Sequence, residues 1–296
     1  MSDESPHATL RRFNRSWTQR VGALEESFLG SGRPLALSRL LFEIGADGAA
    51  VLSLRRRLGL DSGYLSRLLR QLEADGLVTV VADPDDRRRR RAVLTARGQR
   101  EWALLERRSE ERAAALVAGL TPRQRARLDE ALATADRLVR SASVAFEVVA
   151  ADSPEARAAV SAYFAELDRR FEGGFDPGDA WTSDAGSLAP PTGAFLLARS
   201  DDEVVACGGV QRIAPGTAEI KRMWVHPAWR GAGLGSRMLG RLEALARDLG
   251  HDRVNLDTNS TLTEAIAMYE AAGYVACAAY NDNPYARHWF TKDLAG

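Results

Sequence analysis

The stretch that decides the reading is Trp224-Val225-His226-Pro227-Ala228-Trp229-Arg230-Gly231-Ala232-Gly233-Leu234-Gly235-Ser236. The residues before it, Thr217–Val225, read as a strand, and the residues after it, 233–250, read as a helix. Glycines at 231, 233 and 235 expose backbone N–H groups between the two. Those groups sit at a helix N-terminus, which carries a partial positive charge. Together they make an anion site suited to a pyrophosphate, because a Cβ there would hold phosphate oxygens away. The spacing is G-x-G-x-G, which is not the dinucleotide fingerprint. No Gly-Lys-Ser/Thr closes the loop, so it is not a nucleotide-triphosphate loop either.

Elements on both sides can be read outward from this loop. Phe146–Ala151 is an apolar run suited to a strand, and Ser153 caps an amphipathic helix to Phe171. Glu172–Pro191 is rich in Gly, Asp, Ser and Pro and reads as a long loop. Phe195–Arg199 and Val204–Ile213 form a hairpin around Asp201-Asp202. Downstream come a strand Val254–Asp257, a helix Thr263–Ala272, a strand Tyr274–Ala278 and a last strand within Pro284–Leu294.

The loop resembles the acetyl-CoA motif R-x-x-G-x-G of the GNAT acetyltransferases, on Arg230, Gly233 and Gly235. The stretch Ala267-Met268-Tyr269-Glu270-Ala271-Ala272-Gly273-Tyr274 is similar to that family's second signature. The resemblance covers residues 146–296 and implies an α/β fold with a mixed, mostly antiparallel sheet. It implies acetyl-CoA as cosubstrate. The backbone of Gly231, Ala232, Gly233, Leu234, Gly235 and Ser236 would grip the pyrophosphate, Arg230 would be a further cofactor-binding residue, and Met223, Trp224 and Val225 would hydrogen-bond the pantetheine. The Val225 N–H would face the developing oxyanion. Tyr269 matches the family's general acid. Many members carry Asn seven residues before that tyrosine; Leu262 stands there, and Asn259 is the nearby candidate for its cofactor contact.

Glu219 lies six residues before Val225, where some relatives keep a general base. Two readings stay open for it: a base whose pKa burial would raise, or an outward, salt-bridging strand residue. His226 reads as a turn cap and Cys207 as packing. His288 either lines the acceptor pocket or flanks a strand. No His/Cys/Asp cluster has metal-ligand spacing, so no metal is expected.

The N-terminal half has another order of parts. Residues 8–30 read as one helix with apolar positions at Leu10, Phe13, Trp17, Val21, Leu24 and Phe28. Leu35–Ile44 and Ala49–Leu58 are short helices, and Asp61 caps a fourth, Ser62–Ala74. Leu77–Val81 is a strand, Asp83-Pro84-Asp85-Asp86 a turn, and five arginines, Arg87 to Arg91, lead into a return strand Ala92–Leu94. Long helices Thr95–Leu120 and Pro122–Ser143 follow. Two short helices around a Gly-containing turn, then a basic hairpin, make a winged helix-turn-helix. Its fourth helix would present Ser62, Tyr64, Ser66, Arg67 and Arg70 to a major groove. Arg87, Arg88, Arg89 and Arg90 would meet the backbone or minor groove.

The run Asp83–Gly98 resembles the wing of MarR-type regulators, whose D-x-R-x-x-x-V-x-L-T pattern falls on Asp86, Arg88, Leu94 and Thr95. Ala92 replaces the usual valine. This resemblance covers roughly residues 10–145. It implies a homodimer held by terminal helices, on double-stranded DNA with a pseudo-palindromic site. Asp86 is read as holding Arg88 through a carboxylate–guanidinium pair.

Charge separates the halves. The whole chain balances 40 Lys+Arg against 40 Asp+Glu. Residues 1–145 hold 26 Arg and 19 acids, a net +7, and residues 146–296 hold 14 basic residues and 21 acids, a net −7. The zero is a cancellation, and the basic half is the nucleic-acid candidate. No apolar run approaches the roughly 18 residues that span a bilayer. Met1–Leu10 is polar and acidic without a signal-peptide core, and Cys207 and Cys277 form no disulfide framework. These features predict a cytoplasmic protein with no membrane partner.

The expectation is therefore two domains: 1–144, a mainly α winged helix-turn-helix for DNA binding and dimerisation, and 145–296, a GNAT acetyltransferase. The function expected is a DNA-binding regulator joined to an acetyl-CoA-dependent N-acetyltransferase. Its amine acceptor would be a small molecule or a protein. The alternative is a regulator whose GNAT half senses acetyl-CoA or an amine without turnover. A third possibility is a protein acetyltransferase delivered to DNA.

Overall fold

A computed structural model describes residues 6–84, 86–178, 186–201 and 203–294. Residues 1–5, 85, 179–185, 202 and 295–296 lie outside the described residues, and with them those parts of the turns expected at 83–86 and 201–202 and of the loop expected over 172–191. The chain divides into two compact units, Met1–Ala131 and Leu132–Gly296.

The first unit begins with α1 (Pro6–Arg20), a 3-10 turn at Phe28–Gly30, α2 (Leu35–Ile44), β1 (Ala49–Ala50) and α3 (Val51–Arg57). Then come α4 (Ser62–Ala74), β2 (Val78–Ala82), β3 (Arg90–Leu94), α5 (Ala96–Val117) and α6 (Pro122–Ala142), inside which the division of the chain falls. Leu37, Leu40, Leu41 and Ile44 of α2 pack with Leu65, Leu69 and Leu72 of α4 and Leu105 of α5. This buried leucine cluster is the main source of the unit's stability, at about 1.5–3 kcal/mol for each large side chain removed from water.

Two boundaries depart from the sequence reading. The single helix over 8–30 stops at Arg20, because Gly22 takes a left-handed φ of +73° that a continuing helix cannot hold. Leu24 is consequently 82% exposed rather than on the stripe of α1. Ala49–Ala50, expected as helix, instead pair with Ala92 and Arg91 to give the wing sheet its third strand, ordered β1-β3-β2.

The second unit holds β4 (Ala145–Val149), α7 (Pro154–Arg170), β5 (Gly193–Ser200), β6 (Glu203–Ala214) and β7 (Thr217–Val225). It continues with α8 (Leu234–Asp248), β8 (Arg253–Thr258), α9 (Thr263–Ala271), β9 (Val275–Ala276) and β10 (His288–Asp293). Its seven described strands run β4-β5-β6-β7-β8-β10-β9, antiparallel except for the β7–β8 pair. One sheet face packs on α8 through Ala218, Ile220, Met238, Leu242 and Leu256. On the other, Phe195, Leu197, Cys207 and Trp224 pack with Ala156, Ala159 and Val160 of α7. The strand expected over Tyr274–Ala278 shortens to two residues, and the one expected from Pro284 begins at His288. The chain between them is a loop whose Asn side chains bind β8, as described below.

No helix among the described residues is long and apolar enough to cross a membrane.

Candidate active site and DNA-contact surface

The second unit's site begins where β7 and β8 part. Their parallel pairing spans only Thr217–Glu219 against Arg253–Asn255. Beyond it, β8 continues against β10 alone. The gap opens a cavity of about 560 Å³ lined by Ile220–Met223 of β7, Asp257–Asn259, Tyr269 of α9 and Tyr163 of α7. Arg222 has a φ of +55°, beside the register shift where Cys207–Gly209 of β6 face Lys221–Trp224 of β7. That bulge turns the end of β7 into the gap.

Backbone alternation then sets which way the strand's polar groups point. The His226 N–H bonds back to Val205 O on β6. Val225 therefore turns its own N–H and C=O away from β6, toward the gap. The Val225 carbonyl accepts from Arg230 Nε at 3.0 Å and from its terminal nitrogen at 2.8 Å. Arg230 also reaches Glu166 Oε2 at 2.6 Å. Buried Glu166 accepts the Trp224 indole N–H at 2.8 Å as well. Burial raises the Glu166 carboxyl, but the hydrogen bonds from Arg230 and Trp224 outweigh it and hold it below its ordinary range. Arg230, expected as a cofactor-binding residue, turns its guanidinium to the end of β7 and to Glu166 of α7.

The glycine loop follows. Gly231 and Gly233 have φ of +79° and +77°, conformations that glycine adopts without steric cost. A Cβ on either would meet nothing within 4 Å. Gly233 is the N-cap of α8, with no side chain capping the helix N–H groups. Open space, uncapped N–H groups and the helix dipole fit an anionic group such as a pyrophosphate. Gly235 serves packing instead: its Cβ would lie 3.0 Å from Met268 Sδ. Leu234 is buried in the core, Ser236 is exposed, and the Ala232 carbonyl accepts from Ser141 Oγ at 3.2 Å.

Tyr269 is 7% exposed and lines the cavity, packed against Tyr274 and Phe290. Burial raises its phenol well above the ordinary value, so it stays protonated at neutral pH. Burial likewise pushes Tyr163 up to about 12. Glu219 is 3% exposed and borders an open pocket next to the cavity, with Lys221 and Asn281 lining both. It accepts from Gln211 at 2.7 Å, the Tyr280 hydroxyl at 3.0 Å and Asn281 at 3.2 Å. Burial raises its carboxyl, with the Asp257 charge adding to the rise and Lys221 opposing it. The Asn259 amide donates to Tyr285 O at 2.7 Å and its carbonyl accepts from Thr261 N–H. His226 accepts from the Ala228 N–H through Nδ1, and His288 Nε2 lies 3.3 Å from Ser260 Oγ.

Sequence reasoning missed several cavity-lining residues. Tyr163, Asp257, Asn281, Asn283 and Tyr285 come from α7, β8 and the loop before β10. Only the Asn281-Asp282-Asn283 cluster and the shared α7 face of Tyr163, Glu166 and Arg170 gave a local signal.

In the first unit, Asp61 caps α4 by accepting the Tyr64 N–H at 2.8 Å. Leu65, Leu68, Leu69 and Leu72 are buried, which leaves Ser62, Ser66, Arg67 and Arg70 exposed on the opposite face. Tyr64 is half-buried, with the Arg67 guanidinium 5.5 Å from its ring centre. At the wing, Arg87, Arg88, Arg89 and Arg90 are exposed. The Asp86 pairing is corrected: its carboxylate meets the Arg89 guanidinium at 3.2 Å and accepts only the backbone N–H of Arg88. Arg91 anchors the wing by donating to Asp47 O and Gly48 O.

Residues 160–274 match the model of the GNAT acetyltransferase family, and residues 31–89 match that of the MarR family. The chain is 36% identical over 128 residues to an IAA acetyltransferase of Azospirillum brasilense, which is 43% of this chain and 82% of that protein. The chain belongs to the GNAT acetyltransferase family. The GNAT unit is also 33% identical over 97 residues to an uncharacterised N-acetyltransferase of Schizosaccharomyces pombe, covering 32% of this chain and 60% of the relative. A solved MarR-family transcriptional regulator from Rhodococcus aligns with a TM-score of 0.37 at 18% identity, over 45% of this chain and 96% of its own. Residues 31–89, which match the MarR model, precede a GNAT unit of seven described strands.

Proposed function

We propose that the protein is an acetyl-CoA-dependent N-acetyltransferase of an amine acceptor, joined to a dimeric DNA-binding regulator, with functional domains 1–144 and 145–296. The observation that carries the transferase reading is the strand gap opening on Tyr269 beside an uncapped, glycine-lined helix N-terminus. Bound acetyl-CoA would supply the acetyl group as a thioester. The N–H groups of residues 231–236 hold its pyrophosphate, and the exposed edge of Met223–Val225 holds its pantetheine. The Val225 N–H, turned into the gap, steadies negative charge building on the carbonyl oxygen. Glu219 takes the amine proton through water, since a buried carboxylate with a raised pKa is a stronger base than an exposed one. Tyr269 gives its proton to the departing thiolate. Arg230 acts as a positioning residue for the strand end.

Exposed α4 and wing arginines support the DNA reading, because a net +7 half with guanidinium groups along one helix and one hairpin suits phosphate and guanine edges. Leu10, Phe13 and Trp17 form an exposed apolar stripe on α1, with Phe13 and Trp17 stacked at 5.8 Å. We assign that stripe to the homodimer contact. Thiol release from acetyl-CoA across an amine panel tests the transferase. Turnover with at least one amine is expected; tight acetyl-CoA binding without turnover would leave a sensor.

A further inference from the structure

The acceptor end of the cavity names a class of amine. Its wall is aromatic: Phe175 lies 5.8 Å from Phe171 and 4.7 Å from Tyr285, centre to centre. All three rings line the cavity and stay half-buried. Phe164 backs Phe175 at 5.3 Å, so the wall is two rings deep. Tyr285 is held at three points. Its hydroxyl accepts the Asp176 N–H at 3.0 Å, its carbonyl accepts from Asn259 at 2.7 Å, and its N–H donates to Asn283 at 3.1 Å.

The same loop holds a carboxylate, Asp257 of β8, that lines the cavity with these rings. Asn283 donates to Asp257 Oδ1 at 3.1 Å and Asn281 donates to Oδ2 at 2.6 Å. Both donors are neutral amides, and among the described residues Asp257 has no cationic partner. A carboxylate lining a cavity and held only by neutral amide donors offers a charge-assisted hydrogen-bond partner to an incoming ammonium. Rings at this spacing favour a flat apolar group.

We infer that the acceptor is an arylalkylamine, its ammonium on Asp257 and its ring against Phe171, Phe175 and Tyr285. This rests on the proposed transferase reading and deepens it. A polyamine fits less well, because it has no ring to set against the aromatic wall of Phe171, Phe175 and Tyr285. Asn281 ties the ammonium site to the base, since its amide reaches both Asp257 and Glu219.

Thiol release by the full chain with phenethylamine, hexylamine and spermidine tests this. Phenethylamine is expected to have a kcat/KM about tenfold above either of the others, as a filled aromatic wall would give. Phe175→Ala should abolish the aryl-over-alkyl ratio, and Phe175→Tyr should keep it. Asp257→Asn should raise the phenethylamine KM about tenfold with the acetyl-CoA KM unchanged. Equal rates with hexylamine, a spermidine preference, or an unchanged ratio in Phe175→Ala would overturn the inference. If no amine turns over, calorimetry with CoA present separates the two readings. Selective phenethylamine binding lost in Phe175→Ala would uphold the aromatic site while overturning transfer; absent selectivity would overturn the site.

Discussion

Arg230 donates to the carbonyl of Val225 at 2.8 Å, reaching back along the chain to hold the last residue of β7. The same guanidinium meets Glu166 on α7, so one side chain fixes the strand edge that the pantetheine would use. Arg230→Ala leaves Glu166 with a weaker partner set and the Val225 carbonyl unmet. A buried group left unpaired costs about 1–3 kcal/mol, and the lower end applies because the Arg230 side chain is 40% exposed. The expected outcome is a lower melting temperature and an acetyl-CoA KM raised about tenfold, read by calorimetry and initial rates.

On the proposed reading, Glu219 sets the pH profile. Burial raises its carboxyl above the ordinary value, so it ionises later than a free glutamate as pH rises. The kcat/KM of the wild type should therefore climb with pH through a midpoint above the usual carboxylate range. Glu219→Gln should lose that limb and about a hundredfold in rate. Stability has a defined sign. A carboxyl whose folded pKa is raised destabilises the fold once ionised. The Gln variant should therefore gain relative stability as pH rises above the ordinary carboxylate value, and lose that advantage below it. A profile identical to wild type would assign Glu219 to structure alone.

The glycine loop separates binding from chemistry. Gly233→Val places a β-branched residue at φ +77° in the space left for phosphate. Backbone strain of about 1–3 kcal/mol is expected, with acetyl-CoA binding lost in titration calorimetry while the GNAT unit keeps its circular dichroism spectrum.

For the wing, exposed Arg88 has no pairing with the Asp86 carboxylate and is available to a phosphate. Arg88→Ala should weaken binding to the protein's own upstream DNA and reduce the slope of log K against log salt by about 1. Anisotropy titrations at several salt concentrations check this, and an unchanged slope would remove Arg88 from the contact.

Legibility in the sequence followed the range of each interaction. Helix α4 and strand β7 were bounded by local signals, the Asp61 cap and the glycine loop, and both end where the sequence put them. The first helix ends ten residues short of its apolar spacing, which continues past Gly22 while the backbone there turns left-handed. The loop between β9 and β10 has partly strand-like local sequence, and what shapes it instead is Asn contacts to Glu219 and Asp257 that join positions 24 to 62 residues apart. The aromatic wall was missed for the same reason: Phe171 and Tyr285 meet only through the fold.

The most direct test of the central claim is thiol release from acetyl-CoA by the wild type and Tyr269→Phe, with acetyl-CoA affinity measured alongside. Removing one hydroxyl keeps the ring packed against Tyr274 and Phe290. Turnover of an amine by the wild type, a loss of about a hundredfold in Tyr269→Phe and nearly equal acetyl-CoA affinities are expected. Acetyl-CoA bound by both proteins and turned over by neither would contradict it.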